Sequence, residues 1–245
     1  MPPLPAFGWV SRPSARRKSH RAHVYRRLRR LCTMKLTTLL FARRLVETLP
    51  SGVAGLFNPW QDCCPHDAAG NGPTEKLNRL ALHLDCNPEF ILAGEAPGYQ
   101  GCRYSGIAFT SERLLCEGSV PRIPALTGRL STRRLPFSEP SATIVWKTLH
   151  RLGIEERTIL WNAMQLHPYR PDNLWSNRTP TPSEISLGEP ALRVLIEAFP
   201  NAKIIAVGKK SEWLLHEMGI PTAGSVRHPA NGGATQFSSG LRDLM

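Results

Sequence analysis

Residues 90–112 read FILAGEAPGYQGCRYSGIAFTSE. Four apolar residues, Phe90–Ala93, run uninterrupted into Gly94, and Pro97 and Gly98 follow. A short, continuous apolar run bounded by turn residues is the pattern of a strand buried on both faces. Two more segments repeat it: Thr158–Trp161 ends at Asn162, and Lys203–Val207 ends at Gly208. Ser225–Arg227 is expected as a fourth strand. Helical patterning fills the intervals at Lys35–Leu49, Thr74–Leu84, Ala142–Leu152, Ser183–Phe199 (with Pro190 as an irregularity), Lys209–Met218 and Gly233–Leu244. Phe57–Pro73, Gly118–Pro140 and Gln165–Pro182 are punctuated by turn residues and are expected as loops. Strands that alternate with helices predict an α/β fold, a three-layer α/β/α sandwich around a short, mainly parallel four-stranded sheet.

The chain has 245 residues, 41% of them hydrophobic, enough for one sizeable core. No apolar run reaches the length of a membrane span. Six scattered cysteines do not form a disulfide framework, and a reducing, cytoplasmic (in a bacterium, nucleoid-associated) setting is expected. The net charge of +12 is unevenly placed. Residues 1–46 hold twelve Lys and Arg and no Asp or Glu; removing those twelve from 31 leaves 19 basic against 19 acidic residues. The excess charge is therefore a property of the N-terminal region. Residues 1–33 are read as a basic extension and 34–245 as the folded domain, because regular patterning begins at Met34. A DNA-holding arm and a transit peptide are the competing readings of the extension.

In parallel sheets, ligands bind beyond the carboxyl ends of the strands. Three segments lie there: GEAPG at 94–98, NAMQLHPYRP at 162–171 and HPANGG at 228–233. Singly, each residue has an ordinary explanation. Glu95 could cap turn amides, Asn162 could open a loop, Phe109 could be core, and His228 could be a satisfied surface histidine. Tyr99 could equally line a pocket or sit in a solvent-exposed loop, and the pair Lys209–Lys210 could contact phosphate, though a charge pair at a helix start is usually solvated. The conjunction on three strand ends is what points to a site.

Gly94–Glu112 resembles the first signature of the uracil-DNA glycosylase superfamily, above all its thermostable iron–sulfur branch. Asn162–Ile185, NAMQLHPYRPDNLWSNRTPTPSEI, is similar to that branch's asparagine-bearing strand end and the loop after it. Arg227–Gly233, RHPANGG, resembles the family's His-Pro catalytic loop. The resemblance implies a base-excision glycosylase that hydrolyses the N-glycosidic bond of uracil or a related deaminated base in DNA. It implies Glu95 and His228 as catalytic residues, with Gly94, Ala96, Pro97, Gly98, Phe109, Asn162 and Asn231 binding the substrate. Glu95 would hold water and face the cationic sugar, and His228 would donate to the departing base. Asn162 would read the base edge, and Phe109 would stack on the flipped base.

The chain also departs from that branch. It has no C-x-x-C, and Leu166 stands where a ligand cysteine is expected, so neither a cluster nor another metal or cofactor is expected. Gly98 replaces a tyrosine that excludes thymine, which leaves base preference open. Ala230–Gly232 offers no apolar wedge, so single-stranded DNA is the expected partner, bound by a monomer. A non-catalytic DNA-binding relative and a nucleoside hydrolase are the alternative readings.

Overall fold

The computed structural model describes residues 36–245; the extension at residues 1–33 lies outside the described residues. In chain order the elements are α1 (Leu36–Glu47), β1 (Leu56–Phe57), α2 (Pro73–Leu84), β2 (Phe90–Gly94), α3 (Cys102–Ser105), α4 (Glu112–Cys116) and α5 (Pro140–Leu152). They continue with β3 (Thr158–Asn162), β4 (His167–Pro168), α6 (Pro182–Ile185), α7 (Glu189–Ala198), β5 (Lys203–Val207), α8 (Lys209–Glu217), β6 (Gly224–Val226) and α9 (Ala234–Asp243). The main sheet has the order β3-β2-β5-β6, and each neighbouring pair is parallel. The expected α/β architecture is therefore present, with all four strands ending on one edge.

Both faces of the sheet are apolar because both are covered. Phe90 and Leu92, with Leu160, Ile205, Val207 and Val226, form one core with Val145, Trp146 and Leu149 of α5 and Phe237 and Leu241 of α9. Residues of the other parity, including Ile91, Ala93, Ile159, Trp161 and Ala206, are equally buried. Helix α1 packs on α2 and α7. The edge strand β3 is capped from the side: buried His83 accepts the Leu160 amide at 2.9 Å. Burial and the nearby Arg122 hold His83 well below the usual histidine range, which leaves that nitrogen free to accept.

The structure differs from the sequence expectation in four places. Phe57 and His167–Pro168, expected in loops, join Leu56 in an antiparallel two-residue ribbon, too short to carry a period. The helix expected over Ser183–Phe199 is broken into α6 and α7 by the turn Ser186–Gly188. A capping box between Thr181 and Glu184 starts α6, and Pro190 sits in the first turn of α7. At the break, Gly188 lies so close to the strand-end loop that a Cβ would come within 2.6 Å of the Ala163 carbonyl. Short helices α3 and α4 lie within and just after the first signature, where no element was expected. Finally, β6 begins at Gly224 rather than Ser225.

Residues 118–139 contain no helix or strand of the main fold, in keeping with the expected loop up to the start of α5 at Pro140, yet they are firmly tied down. Buried Glu112 accepts five hydrogen bonds, from Arg129 Nε (2.6 Å), Leu130 N (2.9 Å), Ser131 N (3.3 Å), Ser131 Oγ (2.7 Å) and Phe137 N (3.0 Å). Burial alone would raise its carboxyl, but the bonds from Arg129, Phe137, Ser131 and Leu130 outweigh that and hold it below the usual range. The segment is thus a strap wound around one buried carboxylate.

Candidate active site

Parallel register sets the site. Gly94 at the end of β2 pairs with Asn162 at the end of β3. The alignment continues past the strands: Ala163 N donates to Gly94 O at 2.8 Å and Met164 N to Glu95 O at 3.0 Å. On the other side, Gly208 N donates to Val226 O at 2.8 Å. Gly208 has φ 94, and a Cβ there would lie 3.0 Å from His228 Cβ, so the glycine lets the His228 loop close over β5.

Where these ends meet, a cavity of about 100 Å³ is lined by Glu95, Ala96, Pro97, Gly98, Cys102, Phe109, Glu139, Asn162 and His228. Seven of these are residues singled out from the sequence. Gly94 lies behind the cavity: a Cβ on it would stand 2.6 Å from Phe109 Cζ and 2.7 Å from Asn162 Oδ1. Asn231 is not brought in. It is exposed on the turn at Asn231–Gly232, where φ is 52 and 77, outside the cavity lining. Cys102 and Glu139 were not anticipated.

Each lining group has a definable state. His228 Nδ1 accepts the Ala230 amide at 3.2 Å, which assigns the ring proton to Nε2. Burial, then the charge of Arg227, hold this imidazole below the usual range, so it is neutral at pH 7 and offers an N–H donor. Asn162 is buried, and no described residue bonds its side-chain amide, so both its ends are free for a ligand. Phe109 is buried with a backbone φ of 49, a left-handed conformation that a bulky residue rarely adopts, and its ring lies 6.2 Å from that of His228. Glu95 forms an ion pair with Lys210, Oε1 to Nζ 3.2 Å, and Lys210 also reaches Thr179 Oγ1 at 3.4 Å. Lys210 is therefore part of the site's rim and not merely solvated. At Gly98 a Cβ would meet only Asn177, at 3.6 and 3.7 Å, so this wall is roomy.

The loops around the cavity are cross-linked beneath it. Asn177 Oδ1 accepts from Tyr99 N and from His167 Nε2, both at 3.1 Å, and His167 Nδ1 bonds Arg103 at 2.9 Å. Buried Arg103 lies over Phe57, 3.9 Å from the ring centre, and reaches Cys64 Sγ at 3.6 Å. These neighbours do not fit an iron–sulfur cluster. Cys64 faces a guanidinium and Tyr104 Oη, Leu166 is apolar and buried, and Cys63 is exposed. Among the described residues, no three His, Cys, Asp or Glu side chains are grouped to hold a metal ion.

The arrangement offers a carboxylate, a neutral N–H donor, an unengaged amide and an aromatic face around one small cavity. The family model described as the uracil DNA glycosylase superfamily matches residues 83–236, more than half of the chain. No curated protein matches it. Among solved structures, wild-type SMUG2 of Pedobacter heparinus has a similar fold, with a TM-score of 0.57 at 14% identity over 83% of this chain and 97% of that one.

Proposed function

The chain belongs to the uracil DNA glycosylase superfamily, and from that premise we propose that it removes uracil or a related deaminated base from DNA by hydrolysing the N-glycosidic bond. The observation that carries this reading is the convergence of Glu95, Asn162 and His228, from the ends of three parallel strands, on the cavity walled by Phe109. In the reaction the sugar gains positive and the base negative charge. Glu95 faces the sugar and positions the water; the His228 Nε2–H donates to the base oxygen that becomes negative. Asn162 pairs with the base edge, its oxygen accepting from uracil N3–H and its amide donating to O4. Cytosine presents the opposite pattern there and leaves buried groups unpaired. The base is rotated out of the helix to reach the cavity and stacks on Phe109.

DNA is the proposed partner. Ala230, Asn231 and Gly232 present no large apolar group to fill a vacated stack, which favours single strands, bound by a monomer. No helix among the described residues is long and apolar enough to cross a membrane, and a cytoplasmic site of action fits a repair enzyme. We also take residues 34–245 as the functional domain, with residues 1–33 dispensable.

The test is an excision assay on single- and double-stranded oligonucleotides carrying uracil, hypoxanthine or xanthine. The expected result is an abasic product, formed faster on single strands. Glu95→Gln should slow single-turnover cleavage with little change in DNA affinity, because the lost charge acts on the transition state. DNA binding without cleavage of any of the three bases would replace this reading by a non-catalytic one.

A further inference from the structure

Trp175 stands in the loop after β4 and is 38% exposed, yet it is firmly held. Its Nε1–H donates to Tyr104 Oη at 2.8 Å, and its amide donates to Asn173 Oδ1 at 2.9 Å. Its ring meets Phe137 at 5.9 Å in a T-shaped contact and His66 at 4.7 Å. The polar end of the indole is thus satisfied inside the protein, and what remains in water is apolar. One exposed apolar side chain needs no explanation, but a cluster beside a cavity does. Leu135, two residues before Phe137 in the strap, is 62% exposed.

This patch adjoins the cavity, and buried Phe137 is its hub. Tyr99 meets Phe137 at 5.8 Å, and Tyr99 follows directly on Gly98 of the cavity wall. Asn177, two residues after Trp175, accepts the Tyr99 amide at 3.1 Å and ties the two loops together. The strap side is equally fixed. Glu112 accepts the Phe137 amide at 3.0 Å, and the Arg134 carbonyl accepts from Arg129 Nη1 at 3.0 Å, so Leu135 and Pro136 are bracketed by anchors. Cations surround the apolar surface. The Arg133 guanidinium lies 4.4 Å from the Phe137 ring centre, and Arg134 and Arg170 are exposed. None of these three is ion-paired with another described residue, whereas Arg129 and Arg178 are held by Glu112 and Glu184. Asp172 is the one acid within 170–178.

Building on the glycosylase reading, we propose that Trp175 and Leu135 form a stacking platform for a base of the single strand that neighbours the one in the cavity, with Arg133, Arg134 and Arg170 taking its phosphates. The ligand class follows from the mixture of groups. A fixed aromatic face accepts any base, because every base has a π-face, and a guanidinium matches phosphate in shape as well as charge. An acidic peptide would use the arginines but would bring no succession of flat rings to the indole. The platform touches none of the reacting atoms, so it supplies binding and register along the strand and no rate at the bond itself. It also fits the preference for single strands, since the bases of a duplex are already stacked on one another and are not free to lie on the indole.

The experiment measures binding, by fluorescence anisotropy, of two uracil-free oligomers of equal length: oligothymidine and a chain of base-free sugar phosphates. Trp175→Ala should weaken oligothymidine binding by about 10-fold and leave binding of the base-free chain unchanged. Trp175→Phe keeps an aromatic face without the N–H and should restore most of the affinity. Leu135→Ser, on the exposed tip of the strap, should weaken oligothymidine binding in the same direction, which guards against a Trp175 variant that merely misfolds. On a single strand carrying uracil, Trp175→Ala should raise the half-saturating DNA concentration and leave the saturated single-turnover rate unchanged. Equal losses on both oligomers, or no loss on either, would overturn the platform. Neither oligomer carries the target base, so the two readings fail separately. A protein that excises no uracil but shows the base-dependent loss keeps the platform and loses the glycosylase reading. One that excises uracil without such a loss does the reverse.

Discussion

Lys210 Nζ stands 3.2 Å from Glu95 Oε1, joining the first turn of α8 to the loop after β2. The lysine side chain is 61% exposed, so the pair contributes at most about 1 kcal/mol to folding. Its importance lies at the mouth of the cavity: on the proposed glycosylase reading, a phosphate of bound DNA would compete with Glu95 for the ammonium group. Lys210→Met should leave the melting temperature within a few degrees of wild type. It should also reduce the slope of log affinity against log salt by about 1. An unchanged slope would mean that Lys210 stays on Glu95 throughout.

Gly94 tests the floor of the site. A methyl group there meets both Phe109 and Asn162 at less than 3 Å, and both are packed. Gly94→Ala should cost about 1–3 kcal/mol in denaturant titrations. On the proposed reading it should slow excision by roughly 10²-fold, since it displaces the ring proposed to stack on the base and the amide proposed to read its edge. Wild-type activity in this variant would show that neither group needs its observed position.

Glu112 tests the strap. Glu112→Ala removes the acceptor of five donors and leaves Arg129 without its buried partner. The expected loss is about 3–5 kcal/mol. Limited proteolysis should cut first within residues 118–140, and cutting elsewhere would count against the strap's dependence on Glu112.

The Glu139 carboxyl also makes stability depend on pH. Its folded value, about 7, is above its ordinary value of 4.5. Between those values the folded state holds the proton and the unfolded state releases it, so this group's contribution is complete below pH 4.5 and is lost as pH rises through 7. Glu139→Gln removes the cost of a buried charge. It should therefore stabilise the protein at pH 8, by about 1–3 kcal/mol, and change it little at pH 4.5. Chemical denaturation at the two pH values checks this; an equal effect at both would contradict it.

The sheet was legible because a doubly covered strand must be a short apolar run, and Phe90–Ala93, Thr158–Trp161 and Lys203–Val207 are such runs. Glu95, Asn162 and His228 were legible for the same reason, since each follows directly on a strand whose end the pattern marks. Glu139 was not. An acidic residue before a helix proline reads as a cap, and only the empty volume at Gly101 decides that it turns inward. Lys210 looked solvated because its partner is remote in sequence. The family resemblance implied Asn231 as a substrate-binding residue, yet successive left-handed residues carry it outside the cavity lining.

The single carboxylate of Glu112 has a bearing on how the wall of the cavity forms. Arg129, Leu130, Ser131 and Phe137 all converge on it, and Glu139 lies two residues beyond the last of these anchors. Releasing any one anchor leaves a buried ion short of partners, so the rest are destabilised together. Opening of this wall is then cooperative: amide hydrogens along 130–137 should exchange as one unit, and the pocket alternates between complete and absent with few half-built states between.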